Sequence, residues 1–269
     1  MNGIDKHSKV KMVACDIDGT LIPYGKTQLP QELFYLIEQL YKRDIHFAIA
    51  SGRSPQGLQK LFAPVSEKMS FICGNGAIYV EQGETVFTQP FQRPYIDLML
   101  EELHKDPNLV PITMCENGYY VLCSGTRAEQ ERQRADIYDA LGETGIEVPE
   151  ASKIPMPICK LGVYQKQIMT SQQMEALRHR WSGAALVCGG GHWMDVMDRH
   201  TNKGTALERI LAMHGWNPSN LLAFGDNEND VEMLQLAKYG YVVSNGTKEA
   251  KRAAAYECDE VIDILQQLL

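Results

Sequence analysis

Apolar positions in this chain come in short continuous runs, separated by longer stretches in which they recur at helical spacing. Met12–Cys15 is an apolar run that stops abruptly at Asp16-Ile17-Asp18-Gly19-Thr20, the pattern of a buried strand followed by a turn. From Pro30 the pattern becomes helical, with Leu33, Leu36, Ile37 and Leu40 on one face. His46–Ala50 reads as the next strand and ends in Ser51-Gly52-Arg53. Ser54 and Pro55 then have the residue types of a helix cap and a first helical position, with Leu58, Leu61 and Phe62 turned to the core. Ser70–Cys73 is a third short strand, closed by Gly74-Asn75-Gly76. The same alternation returns towards the C-terminus. A helix carries Leu207, Ile210 and Leu211, residues 221–224 form a strand, 231–237 a helix and 241–243 another strand.

Strands alternating with helices at this spacing predict an α/β fold, a Rossmann-like doubly wound parallel sheet with helices on both faces. The middle of the chain does not keep the pattern. It has longer polar stretches, a charged helical segment at 127–141, and strand-like pieces at 118–123 and 160–164. Gly189-Gly190-Gly191 suits a hinge or sharp turn where the chain re-enters the first domain. The expected organisation is a core built from residues 1–89 and 186–269, with an inserted α/β cap domain at 90–185.

Composition narrows the functional classes. Hydrophobic residues make up 44% and charged residues 22%, as in an ordinary globular protein. The formal charge is −8, and no block of Lys or Arg is long enough to follow a phosphate backbone, which argues against a nucleic-acid partner. Residues 1–11 are polar and charged and do not resemble a signal peptide, and no apolar run approaches the roughly 18 residues of a membrane span. The seven cysteines are scattered, odd in number and never spaced as CxxC, so reduced thiols in a cytoplasmic protein are expected. Net acidity also repels an anionic substrate at long range, so a phosphate ester would need local positive charge and a metal ion.

Candidate chemistry sits where the strands end. Asp16 and Asp18 place two carboxylates at the C-terminal end of the first strand, the edge at which open α/β sheets bind ligands. By itself this could be an acidic turn that merely stops a strand. Gly225-Asp226-Asn227-Glu228-Asn229-Asp230 is a second acidic turn after a short strand, and by itself it could be a solvated loop opening a helix. Oxygen ligands from Asp16 and Asp226, with no His or Cys in either turn, suit magnesium rather than zinc. Ser51-Gly52-Arg53 and Asn202-Lys203-Gly204-Thr205 supply a hydroxyl, helix-start N–H groups and an ammonium, the groups that hold phosphate. Each is weak alone; it is the ordered set of four that makes the bland reading untenable.

That set resembles the haloacid dehalogenase superfamily of phosphatases. Gly74-Asn75-Gly76-Ala77, the position of the insertion and the stretch at 241–250 are similar to its Cof-type subfamily, which carries an α/β cap. The resemblance implies that Asp16 is the nucleophile and forms an aspartyl-phosphate. It implies that Asp18 protonates the leaving alcohol and then takes a proton from the hydrolytic water. Magnesium would be held by Asp16, the Asp18 backbone carbonyl and Asp226. Ile17, through its backbone, with Ser51, Gly52, Lys203 and Asn229 would contact the phosphoryl group, and Asp230 would be auxiliary, orienting Lys203 or a metal-bound water. Residues 198–202 depart from the proline and glycine that relatives often carry there, which bears on substrate contacts near the cap. The roles of Arg53, Asn75 and His200 stay open.

The implied activity is magnesium-dependent hydrolysis of a small phosphate monoester, a sugar phosphate or a cofactor- or nucleotide-like phosphate. Two alternatives remain: phosphoryl transfer to another alcohol, as in phosphomannomutases, and non-catalytic binding of a phospholigand. Dehalogenation is disfavoured, because dehalogenases lack an acid at the position of Asp18. Glu116, Lys160 and Tyr164 are candidate cap contacts with the leaving group, and neither the sequence nor the resemblance names the substrate or the oligomeric state.

Overall fold

In a computed structural model of the chain, the described residues are 9–26, 28–106, 108–122, 145–188 and 192–269. They form two sheets. The first is built around β1 (Met12–Cys15), buried along its whole length. To one side lie β2 (His46–Ala50) and β3 (Ser70–Cys73), β2 parallel to β1 and β3 parallel to β2. An antiparallel β4 (Ile78–Glu81) and β5 (Glu84–Thr88) complete that edge.

On the other side of β1 come β12 (Leu221–Gly225), β13 (Tyr239–Val243) and β14 (Tyr256–Cys258), again parallel. The order β14-β13-β12-β1-β2-β3-β4-β5 therefore runs outward in both directions from β1, the doubly wound arrangement expected from the sequence.

The helices form where the apolar stripes predict them. α1 (Gln31–Lys42) buries Leu33, Leu36, Ile37 and Leu40. α2 (Pro55–Leu61) starts after Ser54, whose Oγ accepts from Gly57 N at 2.9 Å. Leu58 and Phe62 are fully buried, while Leu61 is only half-buried. α5 (Lys203–Met213) packs Ala206, Leu207, Ile210 and Leu211 onto the β1–β2–β12 face through Met12, Ala14, Ala48 and Ala223.

Three short helices close the core: α6 (Val231–Leu236), α7 (Lys248–Ala253) and α8 (Val261–Gln266).

The second sheet has the order β10-β11-β9-β6-β7-β8. Its strands are β6 (Leu109–Cys115), β7 (Gly118–Leu122), β8 (Ile146–Val148), β9 (Ile158–Gln165), β10 (Ala184–Cys188) and β11 (Trp193–Asp198). α3 (Arg93–His104) and α4 (Ser171–Arg180) cover one face. There Ile96, Met99, Leu100, Leu103, Met174 and Leu177 pack on Leu161, Val163, Met194 and Val196.

The chain divides into two compact units. One comprises Met1–Arg53, Leu58–Phe87 and Asn202–Leu269; the other comprises Ser54–Gly57 and Thr88–Thr201. The expected return to the core at 186 is thus too early. β10 and β11 extend the second sheet by antiparallel pairing with each other and with β9, so the chain rejoins the core only at Asn202. The expected helix at 127–141 and the Gly189–Gly191 turn lie outside the described residues.

Six cysteines among the described residues are free thiols, and no helix among them is long and apolar enough to cross a membrane.

Candidate active site

Asp16 leaves β1 at the point where the strand order reverses, between β1 and β12. The turn that follows is tied locally: Thr20 N and Ile22 N both donate to Ile17 O, at 3.2 and 2.8 Å. Gly19 sits at φ 96°, and a Cβ there would lie 2.3 Å from Asp226 Oδ2, so only glycine lets this turn approach the second acidic loop. That loop follows β12. Asp230 Oδ2 accepts from Asp226 N at 2.9 Å and from Asn227 N at 3.1 Å, which folds the loop around its own carboxylate.

Lys203 is the first residue of α5. Asn202 Oδ1 accepts from Thr205 N at 2.8 Å and Thr205 Oγ1 accepts from Asn202 N at 3.2 Å, a reciprocal cap that fixes where the helix begins. From there the fully buried ammonium donates to Asp16 Oδ1 at 2.6 Å and to Asp230 Oδ1 at 2.5 Å.

Asp226 accepts from Thr20 Oγ1 at 3.0 Å and from Tyr24 OH at 2.8 Å. Asp16, Asp226 and Asp230 each bring a carboxylate oxygen within 4.8 Å of the others. Two of these three buried carboxylates, Asp16 and Asp230, thus share one ammonium. Burial pushes the Asp16 carboxyl up to about 8, against the pull of Lys203 and with a further push from Asp230. Asp226 is raised as well, by burial and by Asp230. Burial alone would lower Lys203, but Asp16 and Asp230 outweigh it and hold the ammonium charged. A compact, all-oxygen donor set carrying uncompensated negative charge fits a hard divalent cation.

The remaining expected residues lie around this centre. Ser51 is buried and donates its N–H to Ile72 O, while its carbonyl accepts from Asn75 N at 2.9 Å. Gly52 is half-buried in the turn after β2, and Ile17 is fully buried in the turn after β1. Asn229 Nδ2 donates to Asn75 Oδ1 at 3.1 Å.

Asp18 stands apart from the buried cluster. Its exposed carboxylate is gripped by Arg53, with Nε donating to Oδ2 at 3.0 Å and a terminal nitrogen to Oδ1 at 2.7 Å. This gives Arg53 a partner that the sequence left undecided.

In the second unit, Lys160 is buried against Asp195 at 2.9 Å, and Tyr164 stacks with His192 and meets Trp193 edge-on. His200 donates its backbone N–H to Asp198 Oδ1, and Glu116 is exposed.

Thr20, Tyr24 and Asn245, which donates to Gly19 O at 3.2 Å, were not singled out from the sequence. Thr20 gave a signal as part of the Asp16–Thr20 turn and Asn245 lies in the 241–250 stretch, whereas Tyr24 gave none.

A doubly wound core with this acidic centre at its switch point, and with an α/β domain inserted after β5, is the architecture of the haloacid dehalogenase-like hydrolases. The chain belongs to that family, whose sequence pattern matches residues 13–263. Among its relatives, the 5-amino-6-(5-phospho-D-ribitylamino)uracil phosphatase YbjI of Escherichia coli is 24% identical over 272 residues, 97% of this chain and 96% of that protein. The HMP-PP phosphatase of Citrobacter koseri is 26% identical over 241 residues, 87% of this chain and 84% of that protein. Among solved structures, SMU.1108c from Streptococcus mutans superposes with a TM-score of 0.82 at 26% identity, covering 96% of this chain and 98% of that one.

Proposed function

We propose that this chain is a magnesium-dependent phosphatase that hydrolyses small phosphate monoesters through an aspartyl-phosphate on Asp16. The observation that carries this is the Asp16–Lys203–Asp230 chain of buried ion pairs beside Asp226, at the sheet's switch point. Lys203 orients one Asp16 oxygen and leaves the other for in-line attack on phosphorus. As the new P–O bond forms, the bond to the leaving oxygen breaks and Asp18 gives that oxygen a proton. To do so, the Asp18 carboxyl turns out of the grip of Arg53. Asp18 then takes a proton from the water that attacks the aspartyl-phosphate, and inorganic phosphate leaves with Asp16 restored.

Ser51, Asn229, Lys203 and the backbone N–H groups of Ile17 and Gly52 stabilise the oxygens of the transferring group. Magnesium held by Asp16, the Asp18 backbone carbonyl and Asp226 would neutralise charge on phosphate and nucleophile. The leaving group would be read by the second unit, which makes that unit the specificity domain and the first unit the catalytic core. That YbjI is a phosphatase of 5-amino-6-(5-phospho-D-ribitylamino)uracil supports a small phosphorylated metabolite, a sugar phosphate or a cofactor- or nucleotide-like phosphate, as the substrate class.

Phosphate release from a panel of sugar, nucleotide and cofactor phosphates, with and without magnesium, tests the proposal. Magnesium-dependent release that falls by about 10³-fold or more in a folded Asp16→Asn variant is expected. Release that survives Asp16→Asn would remove the covalent mechanism. No release from any ester would point to transfer or ligand binding, and an acceptor alcohol would be the next addition.

A further inference from the structure

The turn that closes β3, Gly74–Gly76, is knitted into three of the segments around the acidic centre. Gly74 N donates to Arg53 O at 3.1 Å and Asn75 N to Ser51 O at 2.9 Å, which joins it to the turn after β2. Gly76 abuts the start of α5, where a Cβ on it would lie 2.3 Å from Asn202 O. The third link is made by a side chain: Asn75 Oδ1 accepts from Asn229 Nδ2 at 3.1 Å, in the loop after β12. All of these residues belong to the first unit.

The backbone singles out Asn75 within this turn. Gly74, Asn75 and Gly76 have φ of 58°, 57° and 108°, so three successive residues occupy the left-handed region. Glycine adopts that region at least cost, and asparagine is among the few residues with a side chain that tolerate it. A third glycine would build the same turn with less strain. What asparagine adds is its carboxamide, and the residue is buried, at 2% exposure. A buried amide oxygen needs a donor to offset its lost hydration, and here Asn229 supplies it.

The pairing matters because an amide has two unlike ends. The half-buried Asn229 carboxamide carries N–H donors on one side and an acceptor oxygen on the other, and a half-turn about its last bond exchanges them. An anionic phosphoryl group attracts the N–H groups and repels the oxygen. Donation from Nδ2 to Asn75 Oδ1 fixes the nitrogen on the side of the turn after β3. One N–H is held there, and the other is left to a phosphoryl oxygen. Reversing the amide would set its oxygen against Asn75 Oδ1, so the buried carbonyl selects a single orientation.

We propose that Asn75 is a positioning residue, which holds the Asn229 carboxamide in the orientation that donates to the transferring phosphoryl group. It acts through Asn229 and touches neither phosphate nor metal. The inference rests on the phosphatase reading for the role of Asn229, and it gives Asn75 the role that the sequence left open. It also makes the turn after β3 a support for the site, tied by backbone to Ser51 and by side chain to Asn229.

The test is a double-mutant cycle read in two ways, by calorimetric titration of inorganic phosphate in the presence of magnesium and by steady-state phosphate release. Asn75→Gly keeps the left-handed turn and its backbone bonds and removes the carboxamide; circular dichroism and a denaturation midpoint check its fold. It should weaken phosphate binding about 5-fold, the contribution of one hydrogen bond. It should lower kcat about 10- to 100-fold, because the bond from Asn229 strengthens as charge develops on the phosphoryl oxygens. In an Asn229→Ala background the same substitution should change either quantity by less than about 2-fold. If Asn75→Gly does not fold, Asn75→Ser, too short to reach Asn229, takes its place. The titration needs no turnover, so it reads the cycle for any substrate. Phosphate affinity and kcat unchanged in folded Asn75→Gly, or a loss that persists in full in Asn229→Ala, would overturn the positioning role alone. A wild type that neither binds nor releases phosphate would overturn the phosphatase reading and this role with it.

Discussion

Both oxygens of Asp226 are occupied by hydroxyl donors, Thr20 on one and Tyr24 on the other. Tyr24 is largely exposed apart from that bond, so its hydroxyl competes with a cation for Oδ2 at the rim of the site. Removing it in Tyr24→Phe frees the oxygen at little structural cost. We expect magnesium to bind about 5-fold more tightly, near 1 kcal/mol, which titration calorimetry reads directly. Weaker binding would mean that Tyr24 positions Asp226 instead. His46 carries a pH prediction. Its folded pKa lies below its unfolded value of 6.5 because burial disfavours the imidazolium. It therefore contributes stability that is present above pH 6.5 and is lost as pH falls through the folded pKa. Denaturant midpoints measured in chelator between pH 7.5 and pH 5 should fall, and His46→Gln should flatten that slope. Asp16 and Lys203 were legible in the sequence because motif chemistry is local. Tyr24 was not, because an exposed tyrosine in a loop has neither periodicity nor a neighbouring partner in the chain.

Among the elements, the start of α5 and the turn after β3 depend on each other. Gly76 has φ 108°, and a Cβ there would lie 2.3 Å from Asn202 O and 3.3 Å from Lys203 N. Gly76→Ala should therefore cost about 2–5 kcal/mol, from backbone strain and overpacking together. It should also lower phosphate release by displacing Lys203. Loss of stability with unchanged turnover, read from denaturation and kinetics on one preparation, would break the link between this turn and the lysine. The core strands could be read because each is an apolar run ending in a polar turn. The β4–β5 hairpin could not. Its turn places Gln82 at φ 52° and Gly83 at φ 81°, and Gln-Gly lacks the Asn or Asp that usually marks such a turn. β10 and β11 were equally hidden. Trp193–Asp198 is only partly buried along its length, so its apolar signal is diluted and its place in the second sheet rests on pairing with β9.

For the molecule as a whole, the first unit carries a buried charge imbalance. Among the described residues of this unit, buried Asp16, Asp226 and Asp230 are set against one buried cation, Lys203, so ligation should stabilise the unit more than any surface interaction does. Magnesium at 100 times its Kd adds about 2.7 kcal/mol by mass action. That corresponds to about 5–10 °C in the melting of a unit this size. Differential scanning calorimetry with and without magnesium should show the shift in wild type and its loss in Asp226→Asn. A melting profile indifferent to magnesium would leave the acidic centre without a metal-binding role.

The sequence by itself determined the class of fold, the parallel strands β1, β2, β3, β12 and β13 with the helices α1, α2, α5 and α6, and the residues of the acidic centre. These follow from apolar periodicity and from motifs held within a few residues, both of which are properties of neighbouring positions. Tertiary structure alone decided the partners. Lys203 reaches Asp16 across 187 positions, Tyr24 reaches Asp226 across 202, and Arg53 finds Asp18. It also decided that the second sheet keeps β10 and β11 and that His46, Glu81 and His214 converge at the far end of the core. These pairings depend on which strands lie side by side, and strand order is set by packing the whole chain rather than by any local pattern.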